Sequence, residues 1–237
     1  MTGNDPLIGK QLGDYEIQGL LGQGGMARVY KGYDDRLDRY AAVKVIEPNL
    51  TSPEEDDEYR ERFQREARAI ARLNHPRVVG VYQFNNLDKI YYMAMVFIEG
   101  QDLRHILKHY IKRGDSLSYK QIMQIVRDTA EALDYSHKQV VIHRDVKPSN
   151  ILLDRAGSAF VSDFGLARIE ASATVTRTGE VLGTLAYISP EQLNGPADRV
   201  DRRTDVYSLG ATLYELLTLR RIFDQADQSS LKQAILQ

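Results

Sequence analysis

The 237-residue chain contains no cysteine. That excludes disulfides and thiolate-ligated zinc, and it fits a reducing compartment. An excess of one charge is also missing: 31 Lys and Arg face 33 Asp and Glu, a formal net charge of −2. No electrostatic argument therefore points to nucleic acid or an anionic membrane. No run of about 18 apolar residues is present, so this segment holds no candidate transmembrane helix. The N-terminal MTGNDPLIGK lacks the apolar core of a secretory signal. There is no internal repeat and no low-complexity tract. What remains is ordinary globular composition, 43% hydrophobic and 27% charged, in a chain long enough for one large or two modest domains.

The first part of the chain reads as strand-rich. Val29-Tyr30 and Ala41 to Ile46 have strand character, with Asp34 to Asp38 as the turn between them. Glu47 to Glu58 is polar and acidic and reads as a solvated loop running into a helix. Tyr59 to Leu73 then carries Phe63, Ala67, Ile70 and Leu73 at helical spacing, and His75-Pro76 ends it. Val78 to Phe84 and Ile90 to Ile98 predict a hairpin across Asn85 to Asp88. After Glu99-Gly100, a hinge candidate, the chain turns helical. Asp102 is a plausible N-cap, Ser118 to Ser136 and Thr204 to Leu217 are helical, and Ile151 to Leu153 and Ala159 to Val161 are short strands. Ile169 to Leu182 reads as a Ser/Thr-rich loop.

Four stretches carry chemistry. Gly22-Gln23-Gly24-Gly25 places three glycines in four residues. This is either a tight hairpin turn or a cradle of backbone N–H groups for phosphate. It lacks the Gly-Lys-Ser/Thr ending of a Walker A loop, and a strand follows it where a dinucleotide fingerprint would open a helix. Lys44 lies in an otherwise apolar strand. It either faces water at an edge or turns inward, where a buried ammonium needs an anionic partner such as Glu66. VIHRDVKPSN, residues 141–150, sets Asp145, Lys147 and Asn150 behind a short apolar run, and Asp163 follows a strand in Ser162-Asp163-Phe164-Gly165. Asp145 would accept a hydrogen bond from an attacking hydroxyl. Lys147 would neutralise a transferred group. Asp163 and Asn150 offer oxygen to a hard cation.

These blocks, with Ala42-Val43-Lys44, Ser189-Pro190-Glu191 and Asp205 to Gly210, together resemble the eukaryotic-type protein kinase superfamily, and within it the bacterial Ser/Thr kinases. One glycine motif would be weak; several blocks in order and at sensible spacing are strong. The resemblance runs from about Tyr15 to the end. It implies an α+β, bilobal kinase-like fold: a small strand-rich N-lobe with one major helix (residues 1–98) and a helical C-lobe (residues 99–237). It implies ATP with Mg²⁺ or Mn²⁺, and transfer to Ser/Thr hydroxyls of proteins, Lys147 being the Ser/Thr-kinase mark. Leu21, Gly22, Gly24 and Val29 would cover ATP, with Ala27 where a third glycine often stands. Ala42, Met95, Val96, Ile98 and Leu152 would line the adenine pocket. Lys44 would contact the α/β-phosphates and pair with Glu66. Asp145 and Lys147 would serve the transfer, and Asn150 and Asp163 would hold the metal. His143 and Phe164 would pack in a spine with Ile70 and Val81, and Asp205 would anchor the catalytic-loop backbone.

Regulation follows from the same resemblance. Arg144 matches kinases switched by loop phosphorylation, and Thr176 and Thr178 match the sites that relatives phosphorylate on themselves, in a kinase homodimer. Gly183 and Thr184 would position the substrate hydroxyl. The family continues with further helices after the stretch Asp205 to Leu217, and no arginine late in the chain matches the usual partner of Glu191. The resemblance therefore implies a C-lobe incomplete at its C-terminal end. It also implies a cytoplasmic kinase domain with no membrane contact of its own, in a protein with a possible inner-membrane tether beyond residue 237. A pseudokinase scaffold and a small-molecule kinase are the competing functions. The first is disfavoured by Lys44, Glu66, Asp145, Asn150 and Asp163 all being present; the second by Lys147 and the Thr-rich loop.

Overall fold

The computed structural model describes residues 5–24, 27–46, 53–87, 90–164, 185–194, 200–225 and 227–237. The described parts of 5–72 and 80–98 form one compact unit; those of 73–79, 99–164 and 185–237 form a second.

The first unit is a six-stranded antiparallel sheet with one helix. Its strands are β1 (Gln11–Leu12), β2 (Tyr15–Gln23), β3 (Ala27–Asp34), β4 (Arg39–Ile46), β5 (Val81–Leu87) and β6 (Ile90–Val96), in the order β1-β2-β3-β4-β6-β5. Period-two alternation divides the side chains between the two faces. Ala41, Val43 and Val45 point one way and join Tyr15, Ile17, Tyr30, Tyr92 and Ala94 in a buried cluster. Ala42, Lys44 and Ile46 alternate with them on the other face. There α1 (Pro53–Ala71) docks through aromatic rings: Tyr59 and Phe63 meet Tyr91 edge-on, at centroid separations of 4.8 and 5.2 Å, and Phe63 meets Phe84 at 6.3 Å. Burying a ring of this size contributes about 1.5–3 kcal/mol.

Two boundaries differ from the sequence expectation. The helix begins at Pro53, inside the acidic stretch read as loop. Proline suits a first helical turn, where its missing N–H would have no intrahelical acceptor. The hairpin strand begins at Val81 rather than Val78, and it runs on through Asn85 and Asn86, which pair with Tyr92 and Tyr91. Val78 and Val79 have another partner. Val78 forms a parallel bridge with Val161, and Val79 N–H donates to Val161 O at 2.9 Å, both within the second unit.

The second unit combines helices with a three-stranded sheet. The strands are β7 (Gly100–Asp102), β8 (Ile151–Asp154) and β9 (Ala159–Val161), in that order. Gly100 is required by close approach: a Cβ there would sit 1.7 Å from the Leu153 carbonyl oxygen. The helices are α2 (Leu103–Arg113), α3 (Tyr119–Lys138), α4 (Pro190–Asn194), α5 (Arg203–Thr218) and α6 (Gln228–Leu236). Asp102 caps α2, its carboxylate accepting from His105 N–H at 2.9 Å. Ser118 opens α3 with a reciprocal capping box to Gln121. Leu103, Leu107, Ile122, Ile125, Ile151, Leu153 and Leu216 form the core between α2, α3, α5 and the strands.

The end of α3 is strained. Val141 N–H returns to Ser136 O and Val140 N–H to His137 O, a Schellman closure with Val140 at the left-handed position, φ +61°. A β-branched residue is poorly suited to that backbone, and Val140 is 90% exposed, so its side chain gains little in return. Val140→Gly is expected to stabilise the protein by about 1 kcal/mol, read as a raised urea midpoint with unchanged slope. A lower midpoint would show that the strain is relieved in some other way.

Candidate active site

The hairpin of β8 and β9 brings two parts of the chain together. Ile151 pairs with Val161, so the residue before β8 and those after β9 share one end of the sheet. Ser162 closes that end, donating N–H to Asn150 O at 2.9 Å and Oγ–H to the same oxygen at 3.2 Å. Asp163 follows directly, with a left-handed backbone, φ +63°.

Asp145 lies at the centre of a compact polar cluster. Its Oδ2 is 2.7 Å from Lys147 Nζ and accepts from Asn150 Nδ2 at 3.0 Å. Asn150 Nδ2 also donates to the Asp145 backbone carbonyl at 2.8 Å, which ties the two ends of the turn 145–150 together. A single 3-10 turn at Pro148–Asn150 brings Asn150 round. With its amide nitrogen used twice, Asn150 keeps Oδ1, which Ser149 Oγ approaches at 3.3 Å, as an oxygen donor. The Asn150 amide oxygen and the Asp163 carboxylate are hard ligands of the kind Mg²⁺ takes. Among the described residues no three His, Asp or Glu cluster as a metal cage.

The backbone beneath this cluster is held from α5. Asp205, fully buried, accepts from His143 N–H at 2.9 Å and from Arg144 N–H at 2.7 Å, one on each oxygen. His137 Nε2 lies 2.7 Å from the first of these oxygens. Arg144 takes a left-handed backbone, φ +67°. The His143 ring, also fully buried, bonds through Nε2 to Ser162 O at 2.8 Å and accepts Asp145 N–H on Nδ1 at 3.2 Å, which assigns the Nε2–H tautomer. Its ring packs 4.6 Å from that of Phe164. His137 was not singled out from the sequence; a histidine in the last turn of a helix carries no mark of a partner 68 positions away.

In the first unit, register places Val29 opposite Lys44 and Ala42 opposite Met95. These four share the sheet face on which α1 packs. Lys44 is only 6% exposed there, and Glu66 lies one helical turn beyond Phe63 on α1, with Arg65 Nη2 at 3.6 Å from its Oε1. Gly22 pairs with Val29, and Gly24 N–H donates to Ala27 O at 2.8 Å. Leu21 is exposed, Ile98 half-buried, and Val96 donates its N–H to Gly80 O at 2.9 Å. Ile70 is buried in α1. In the second unit Leu152 is half-buried on β8, and Glu191 opens α4. Burial, and then the Glu191 charge, raise the Tyr207 hydroxyl above its ordinary pKa. Thr176, Thr178, Gly183 and Thr184 lie outside the described residues.

Among the described residues no helix is long and apolar enough to cross a membrane. The protein kinase domain profile matches residues 15–237. Serine/threonine-protein kinase PrkC of Bacillus subtilis is 40% identical over 219 residues, covering 92% of this chain and 32% of that protein. Serine/threonine-protein kinase PknB of Mycobacterium leprae is 43% identical over 209 residues, covering 86% and 32%. The crystal structure of the Mycobacterium tuberculosis PknI kinase domain, solved as a cysteine-to-alanine point mutant, superposes with a TM-score of 0.71 at 27% identity, covering 96% of this chain and 85% of that one. The chain thus spans about a third of the length of the curated relatives it matches. With the profile matched along nearly its whole length and bacterial Ser/Thr kinases near 40% identity, the chain belongs to the protein kinase family.

Proposed function

We propose that this chain transfers the γ-phosphoryl group of ATP to Ser and Thr hydroxyls of proteins. The cluster of Asp145, Lys147 and Asn150 carries the reading, because it sets a carboxylate, a cation and an amide oxygen within one short turn. The kinase relatives support it. Asp145 accepts a hydrogen bond from the attacking hydroxyl and orients it; it need not be a strong base, since the proton leaves late in a loose transition state. Lys147 places positive charge beside the group in flight. Asn150 and Asp163 hold Mg²⁺ or Mn²⁺, which when bound neutralises phosphate charge. Lys44, oriented by Glu66, contacts the α/β-phosphates. Leu21, Gly22, Gly24 and Val29 cover the nucleotide, and Ala42, Met95, Val96 and Ile98 line the adenine pocket. Gly183 and Thr184 position the protein substrate.

The reading extends to regulation. Thr176 and Thr178 receive phosphate from a second copy of the chain, and each phosphate adds about −1.5 to −2 charge for arginines such as Arg144. Catalysis takes place in the cytoplasm, where ATP is available.

One experiment tests the whole. The chain is incubated with labelled ATP and Mg²⁺, with and without a generic protein substrate, and the enzyme's intact mass is followed. Label on Ser and Thr of the substrate, with added phosphates on the chain, is the expected result. ATP binding without transfer would leave a nucleotide-binding scaffold instead, and an active enzyme of unchanged mass would end the autophosphorylation reading.

A further inference from the structure

We propose that Gln192 is a positioning residue for phosphoryl transfer, holding the peptide plane that carries Asp145; this rests on the kinase reading above. The plane between Arg144 and Asp145 follows a left-handed residue, φ +67°, a backbone that arginine rarely adopts unsupported. The plane is gripped at both ends. Its N–H, that of Asp145, donates to His143 Nδ1 at 3.2 Å. Its carbonyl, that of Arg144, accepts from Gln192 Nε2 at 2.8 Å. The other side of Arg144 is held by Asp205 through the Arg144 N–H. Asp205 and Gln192 thus clamp the strained residue from opposite peptides.

Gln192 is itself fixed. Its Oε1 accepts from Thr204 Oγ1 at 2.6 Å, Ser189 Oγ at 3.2 Å and Ser189 N–H at 3.2 Å. Ser189 and Thr204 are fully buried, with their hydroxyls 2.6 Å apart. The Ser189 N–H on the oxygen side and the Arg144 carbonyl on the nitrogen side leave one amide orientation, because a flip would set NH₂ against N–H and oxygen against oxygen. The plainer reading is a capping box at the start of α4, Ser189 with Gln192 three residues on. That box uses only the amide oxygen. A glutamate would complete it equally well, so capping alone gives no role to the Nε2 bond that crosses to Arg144.

Two near-isosteric variants separate these readings. Gln192→Glu keeps the capping oxygen and loses the donor; Gln192→Met loses both. Each is compared with the 237-residue wild type by steady-state kinetics with Mg-ATP and a generic protein substrate, and by amide hydrogen exchange over residues 141–150. The expected result is a kcat about tenfold lower in both variants and exchange at Asp145 about tenfold faster, with KM for ATP within about twofold. Gln192→Glu also sets a carboxylate oxygen against the Arg144 carbonyl, so a lowered melting point is shared with a purely structural role, whereas a kcat loss measured well below that melting point is not shared. Exchange unchanged in both variants overturns the proposal whatever the rates, and a wild-type kcat alongside faster exchange overturns its catalytic part. If the wild type transfers nothing, the kinase reading falls on its own, and exchange still decides whether Gln192 holds the plane.

Discussion

Asp145→Asn is expected to lower kcat by roughly 10²- to 10⁴-fold while leaving affinity for ATP within about twofold. Asparagine preserves shape, so the loss reports chemistry and alignment. In the native turn both partners at Oδ2, Lys147 Nζ and Asn150 Nδ2, are donors. An amide there must either turn its own NH₂ towards two donors or turn it towards the incoming hydroxyl. Either choice removes an acceptor that the cluster uses. The charge facing Lys147 also disappears, freeing the ammonium to leave the position where it would meet the phosphoryl group. Nucleotide contacts proposed for the first unit are untouched, which is why ATP affinity should hold. Steady-state kinetics with a separate nucleotide titration measures both quantities. Activity close to wild type would remove Asp145 from its assigned role.

The second large effect is on stability. Asp205→Ala should cost about 3–6 kcal/mol, a large share of the roughly 5–15 kcal/mol that holds a typical domain. The carboxylate accepts from two backbone N–H groups and meets the nearly buried His137 ring. Alanine leaves both amides facing a void that has no acceptor, and buried donors left unmade cost about 1–3 kcal/mol each. Arg144 would then relax from its left-handed backbone, so activity should be lost well below the melting point of the variant. Asp205→Asn, retaining one acceptor oxygen, should fall between. Urea unfolding followed by circular dichroism gives the difference; a midpoint near that of the wild type would show that water or another group replaces the carboxylate.

Much of the architecture was legible because local chemistry dictated it. Asp102 and Ser118 could be read as helix starts from residue type and spacing, and both cap their helices through side-chain oxygens. The strands Ala41 to Ile46 and Ala159 to Val161 showed their pattern outright. Elsewhere non-local pairing decided. Val78 looks like a strand residue and behaves like one, but its partner is Val161 rather than the neighbouring hairpin. Asn85 and Asn86 carry turn chemistry, yet the strand continues through them because Tyr92 and Tyr91 stand opposite. In the proposed site, Asp145, Lys147 and Asn150 stand out by residue type, whereas His137 and Gln192 do not. Each bonds to a backbone or carboxylate partner 48 or 68 positions distant, and only the folded chain supplies that partner. Val140 and Leu219 show the limit from the other side: both take left-handed backbone where residue type argues against it.

The left-handed turn at Arg144 also implies an order of events during synthesis. Its amide is held by a carboxylate that arrives 61 residues later in the chain. A nascent polypeptide that has emerged through residue 150 therefore has the whole polar cluster in its sequence but lacks the group that keeps its backbone in the uncommon conformation. Until α5 has been translated and has docked, residues 143–145 should relax to ordinary dihedrals and Asp145 should point without constraint. Competence for transfer would then appear late and abruptly, as a property of the finished fold. A half-made chain on the ribosome would stay silent towards the ATP and exposed hydroxyls around it.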